Sequence, residues 1–200
     1  MLSAFHPTKK LLVETVVNLL DSKKPNEILA EEVLEISGVS KGSMYHHFED
    51  LQELVETAQL IRYSKWIDAS IQFMTTYVLG ANSRDSFIES LRKLTELTQA
   101  ADRKGARAER ALALAACLDN PRMAKAMGAE TQRHTDALAD IIREVQNRGL
   151  VRQEVDAKAV AVFIQSYTLG KMVNDYNPTA VPDDNWVDLI TDMAVRTFVN

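Results

Sequence analysis

The segment Ser37-Gly38-Val39-Ser40-Lys41-Gly42-Ser43-Met44-Tyr45-His46-His47-Phe48 constrains this chain more than any other. Gly38 supplies the backbone freedom for a tight turn between two short helical segments. Ser40 reads as an N-cap, its hydroxyl free to accept from an orphan backbone N–H of the next turn. In the helix that follows, Met44 and Phe48 are four residues apart and share one buried face. Lys41, Gly42, Ser43, His46 and His47 are then left for something outside the protein. A short helix, a turn holding glycine and a second helix with a polar outer face make a helix-turn-helix, whose second helix fits a DNA major groove.

The flanking sequence supports that unit. Thr8 to about Leu20 reads as a first helix with Pro7 just ahead of it. Its Leu12, Val16, Leu19 and Leu20 recur at helical spacing and should pack beneath the turn. The second helix runs from about Leu29 to Ile36, with Glu31 and Glu32 near its positive end. After Phe48, Asp50 and Glu53 form a plausible capping pair. No Pro or Gly follows before Gly80. One long helix, or two abutting ones, can therefore join this unit to the rest of the chain.

Charge argues against a reader of the broad basic kind. Residues 1–60 set five lysines against ten acids, a net of −5, while residues 61–200 balance to zero. Binding through an extended basic surface is excluded. Glu31, Glu32 and Glu35 sit on the preceding helix and can point away from phosphates, so weak non-specific affinity is the expected consequence.

Beyond Gly80 the pattern remains helical. Helices are expected over about 84–100, about 106–118, 122–147, 159–170, and from Asp184 or Asn185, either of which would cap the last. Ala159–Gly170 carries twelve consecutive uncharged residues, apolar nearly all round. Such a helix must be covered on every side. Core on one face and a second copy of the chain on the other is the simplest cover.

The wording Gly-Val-Ser-Lys-Gly-Ser-Met-Tyr-His-His-Phe, followed by Leu51-Gln52-Glu53-Leu54, closely resembles the TetR family of bacterial one-component regulators. Specific wording covers roughly residues 8–58. The resemblance implies an all-α fold: a three-helix helix-turn-helix domain over residues 1–50, then a larger helical-bundle domain over 51–200 for effector binding and dimerisation. It implies a homodimer that binds a double-stranded DNA operator as a repressor and is released by a small-molecule effector. By the same resemblance, Ser40, Lys41, Ser43, Tyr45 and His47 touch phosphates, while Lys41, Gly42, Ser43 and His46 face bases. His46 and His47 are adjacent, so one of them sits squarely against DNA. Family members usually carry a lysine where this chain has Leu51.

Two further sets of residues are expected. A ligand cavity would be lined by Phe73, Met74 and Tyr77, by Phe87 and Leu91, and by Cys117, Met123, Met127, His134 and Tyr167. Met side chains suit irregular apolar pockets, though each of these positions also fits ordinary core. The dimer interface would use Ala161, Ile164 and Thr168 with Trp186, Ile190 and Met193, from the last two helices of each subunit.

Enzyme machinery is missing from the sequence. There is no phosphate-cradling Gly loop, no nucleophile motif and no paired acids with positioned histidines. Glu130 and His134 lie one helical turn apart, a metal-compatible spacing, but no second pair accompanies them. No cofactor is expected. The single Cys117 allows no internal disulfide and fits a reducing compartment. No uncharged run approaches the ~20 residues needed to cross a bilayer, and no signal-peptide pattern opens the chain. With 46% apolar and 26% charged residues, a cytoplasmic protein with no membrane partner is the expectation.

Overall fold

A computed structural model describes residues 5–200. Ten α-helices account for most of them: α1 (Pro7–Leu19), α2 (Ala30–Ser37), α3 (Lys41–His47), α4 (Leu51–Leu79), α5 (Arg84–Gln99), α6 (Lys104–Ala115), α7 (Pro121–Asn147), α8 (Ala157–Gly170), α9 (Met172–Asp175) and α10 (Asp183–Phe198).

α1 packs against α2, α3 and the start of α4. Leu12, Val13 and Val16 from α1, Val33 from α2, Met44 from α3, and Leu54, Val55, Ala58 and Ile61 from α4 are all buried in one cluster, closed by Phe48. Each large apolar side chain so buried contributes about 1.5–3 kcal/mol. The stripe expected on the first helix therefore does pack beneath the turn.

The long connector is one unbroken helix. α4 spans 29 residues, about 44 Å at 1.5 Å per residue. Asp50 caps it, accepting the Glu53 N–H at 2.7 Å. Glu53 reaches back to the N–H of Glu49 rather than of Asp50. Its far half packs on α5 and α7. There Met74, Val78, Phe87, Leu94, Leu138, Ile142, Val145 and Val160 belong to a second core. A third, smaller cluster joins Tyr63 and Ile67 of α4 to Ala113 of α6 and to Met123 and Met127 of α7.

Three details differ from the sequence expectation. α6 begins at Lys104, one 3₁₀ turn after α5, so Gly105 lies inside it instead of breaking the chain. α9, four residues long, was not foreseen. α10 begins at Asp183 with Pro182 at its N-cap position, a residue with no side-chain acceptor, so neither Asp184 nor Asn185 caps it; Asp183 pairs with Lys171. Gly149 ends the α7 turn at φ +73°. An antiparallel bridge between Val151 and Val199 then closes the bundle. Among the described residues, no helix is long and apolar enough to cross a membrane.

Candidate nucleic-acid interface and ligand cavity

Gly38 turns the chain at φ +67°, and its N–H donates to Leu34 O at 2.9 Å. A Cβ there would meet nothing within 4 Å, so the backbone angle and not space demands glycine. Ser40 Oγ accepts the Ser43 N–H at 3.2 Å, setting the first turn of α3. Met44 and Phe48 are buried under it, and Ser40, Lys41, Gly42, Tyr45 and His46 are exposed in a group. Ser43 and His47 are half-buried. His47 stacks on His6 with ring centroids 5.1 Å apart, and His46 lies edge-on to it at 5.2 Å. Loss of water, then His46, His6 and Lys9, hold the His47 pKa below its ordinary value, which favours the neutral ring. His46 is the histidine that faces outward.

The acidic balance of this end is largely consumed within the protein. Glu32 accepts Lys23 at 2.6 Å. Glu27 caps the Lys24 N–H at 2.8 Å, and Glu14 pairs with Lys10 across one helical turn. Asp21 binds Arg62 of α4. Glu56 and Glu49 both meet Arg122 of α7. With Asp50 and Glu53 spent as caps, Glu31 and Glu35 are the two acids without a hydrogen bond or ion pair among the described residues.

A cavity of about 180 Å³ opens between α4, α5, α6, α7 and α8. Phe73 and Met74 line it with Leu94, Leu97, Leu138 and Ile164. Four of the sequence-derived lining residues, Phe73, Met74, His134 and Tyr167, are on its wall. The other six are elsewhere. Phe87 is buried in the second core, with Tyr77 and Leu91 packed against it. Met123, Met127 and Cys117 belong to the third cluster. The Cys117 thiol donates to Ala113 O at 3.6 Å, and burial raises its pKa, away from reactivity.

The wall also holds what the sequence reading missed: Trp66, Ser70, Arg103, Arg107, Arg110 and Gln165. Arg107 and Arg110 stand three residues apart on α6, a spacing that aims both at one side. That periodicity was available in the sequence. Arg107 is bound at two points by Asp175 of α9. Arg110 stacks on Trp66, 3.7 Å from the ring centroid. Buried His134 meets Trp66 edge-on at 5.1 Å and shares a 3.0 Å hydrogen bond between its Nε2 and Ser70 Oγ. Burial, then the charge of Arg110, lowers its pKa to about 4. Glu130 is occupied by Arg133 at 2.8 Å, so the Glu130–His134 spacing serves two separate contacts.

No family model matches the chain, and no curated protein matches it. Solved structures do. A candidate TetR-family transcriptional regulator from Mesorhizobium loti MAFF303099 superposes with a TM-score of 0.72 at 17% identity, covering 96% of this chain and 97% of its own. A TetR-family transcriptional regulator from Cytophaga hutchinsonii gives 0.68 at 17% identity, covering 96% of each chain. The chain has the TetR-regulator fold. A candidate transcriptional regulator from Saccharomonospora viridis in complex with choline gives 0.67 at 16% identity, covering 96% and 97%.

Within this TetR fold, the residues expected at a dimer interface are distributed unevenly. Ala161 and Ile190 are buried inside the subunit. Ile164 and Thr168 line the cavity. Trp186 Nε1 turns inward, donating to Gln99 Oε1 at 3.3 Å. Of the six, Met193 is the exposed one, and Val162 and Leu189 are exposed apolar neighbours on the same two helices. In the apolar Ala159–Gly170 run, Val160 and Ala161 are buried against the subunit's own core and Ile164, Gln165, Tyr167 and Thr168 line the cavity, while Ala159, Val162, Ser166 and Gly170 are exposed.

Proposed function

We propose that this chain is a TetR-family member acting in the cytoplasm: a homodimeric, sequence-specific DNA-binding repressor released from its operator by a small-molecule effector. α1–α3 with the start of α4 (residues 1–50 in the main) form the reader, and residues 51–200 carry the effector cavity and the dimer contact. The observation that carries the reading is the exposed set Ser40, Lys41, Gly42, Tyr45 and His46 on a helix whose inner face is locked by Met44 and Phe48. Two such helices in a dimer address successive major grooves about 34 Å apart. The outward apolar residues of α8 and α10, Val162, Leu189 and Met193, suit the dimer contact. The engaged acids of the reader weigh against the alternative, a ligand-binding protein whose DNA function has lapsed.

Two polar straps support a route from cavity to reader. Arg62 donates to Val17 O at 3.2 Å and binds Asp21, both at the end of α1, while its other nitrogen binds Glu109 of α6 at 3.0 Å. Glu109 precedes Arg110 on the cavity wall. Arg122 ties the start of α7 to Glu56 of α4. An effector that moves α6 or α7 shifts the population of α4 positions and, with it, the spacing of the two readers. Choline does not carry over from the S. viridis structure, since three arginines and no carboxylate side chain line this cavity among the described residues, and Arg110 already occupies the face of Trp66. Gel shift against the DNA upstream of the chain's own coding sequence tests the proposal. A saturable, competitor-resistant complex is expected, and its absence at low salt would leave the lapsed alternative standing.

A further inference from the structure

Three arginines line the cavity, and no aspartate or glutamate does among the described residues. Their situations differ. Arg107 is neutralised: Nε and Nη2 each donate to Asp175 at 2.6 Å, and both terminal nitrogens also reach Ala100 O at 3.3 Å. Arg103 is exposed to solvent at the start of α6. Arg110 is half-buried and has no such partner. Among the described residues no carboxylate is within ion-pair distance of it and no hydrogen bond reaches it, and its Nε is sealed from water without a partner. Burial lowers its pKa only to about 10, so it stays cationic at neutral pH.

A partly desolvated cation without a counter-charge carries a cost, and the ring of Trp66 offsets that only in part. Stacking does something else: it fixes the plane of the guanidinium fork, leaving its N–H groups oriented for a planar anion. A second unsatisfied group is close by. His134 is 2% exposed; its Nδ1 lacks a partner in hydrogen-bonding geometry, and the side chain of Gln165 is its polar neighbour on the wall. His134 and Arg110 both contact Trp66, which places the two side chains around one ring of the cavity wall. Phe73, Met74, Leu94, Leu97, Leu138 and Ile164 make the rest apolar.

We propose that the cavity binds a small organic carboxylate, its carboxylate group paired with the Arg110 guanidinium beside His134 Nδ1 and its apolar body among the α4, α5, α7 and α8 side chains. Size narrows the class. An engineered 150 Å³ apolar cavity holds benzene, so about 180 Å³ takes one ring or a short branched chain together with a carboxylate. This assignment rests on the ligand-responsive reading above and names the chemistry of that site.

Calorimetric titration of the full-length protein with sodium benzoate, benzamide and benzylamine decides it without DNA. Benzoate should bind, with benzamide weaker by about tenfold or more and benzylamine not detected. Arg110→Met should cut benzoate affinity by a similar factor while leaving the melting temperature unchanged or higher. Arg110→Lys, which keeps the charge but loses the fork, should fall between. Equal binding of benzamide and benzoate, full benzoate affinity in Arg110→Met, or no binding of any of the three would each overturn the proposal. Should Arg110→Met fail to fold, the wild-type benzoate–benzamide comparison and Arg110→Lys still decide. Gel shift separates the two readings. Benzoate binding that leaves the operator complex intact sinks the regulatory reading alone, while operator binding without any benzoate affinity sinks this one alone.

Discussion

Arg107 and Asp175 form a two-point ion pair inside the bundle, with side chains 2% and 6% exposed and both donor–acceptor distances at 2.6 Å. The pair fastens α6 to α9 and sits one helical turn from Arg110, whose charge is unmatched. Removing one partner of a buried pair strands the other charge. Arg107→Ala should therefore destabilise the protein by about 3–5 kcal/mol, read as a lower urea midpoint with little change in slope. Replacing both members with apolar residues of similar size should recover most of that loss. If the single variant costs no more than an ordinary surface change, the pair is not held as described.

The recognition helix separates binding from stability. Lys41 and Tyr45 are exposed and Met44 is wholly buried. Lys41→Ala or Tyr45→Ala should weaken operator binding by roughly 1–3 kcal/mol with the melting temperature nearly unchanged. Met44→Ala should do the reverse first, costing about 2–5 kcal/mol of stability through the cavity it leaves. Unchanged operator affinity in both surface variants would move the DNA contact off this helix.

Those predictions concern the part of the molecule most legible in the sequence. Gly38, Ser40, Met44 and Phe48 act through local chemistry: a left-handed turn, a cap and a four-residue repeat. Each can be read without knowing what lies across the core. The ligand cavity cannot. Met123 and Met127 are the same residue type as Met74, yet they pack in the third cluster with Tyr63, Ile67 and Ala113, contacts that no local pattern announces. Ile164 and Thr168, read from the sequence as facing a partner, also line the cavity, which their spacing alone does not show. Arg107 and Arg110 read as ordinary charged surface in an Ala-rich helix. Only the approach of Asp175 and Trp66, 68 and 44 positions away in sequence, separates one from the other.

Acid should weaken the fold through His134. Its folded-state pKa is about 4 against an ordinary 6.5, so below 6.5 the unfolded chain binds a proton that the folded one refuses. The contribution of neutral His134 is intact above pH 6.5 and is lost progressively as the pH falls towards 4, by about 3 kcal/mol in all. Arg110 and Arg133 bear on the same ring and stay charged throughout. His134→Gln should flatten this limb of the stability curve, measured by urea unfolding between pH 7.5 and pH 5. An equally steep limb in the variant would assign the acid sensitivity to other groups.

Arg122 tests the coupling between cavity and reader. Its nitrogens hold Glu56 at 2.8 and 3.0 Å, and Glu56 is otherwise buried on α4. Arg122→Ala removes the charged half of the strap and leaves Asn120 Nδ2 on Glu56 Oε1, while the residues of the cavity and the recognition helix are unchanged. A ligand that loosens the operator complex should then do so by a smaller factor, with its own affinity for the free protein little changed. An unaltered ratio would give the coupling to the Asn120–Glu56 contact or to Arg62 and Glu109.

Leu51 offers the sharpest test of docking. It is the first residue of α4, half-buried and packed against the first core, at the place where the family resemblance implies a phosphate-gripping lysine. Leu51→Lys can keep its aliphatic stem on the core and extend its ammonium to the rim. Lost apolar contact and a cation at the positive end of a helix should both lower the melting temperature. If that rim lies beside the DNA backbone, the added cation releases one more counterion. The plot of log affinity against log salt should then steepen by about 0.9, for operator and random DNA alike. Lower stability with an unchanged slope would mean that the start of α4 stands clear of the phosphates, and the docking proposed for α3 would have to rotate about its axis to match.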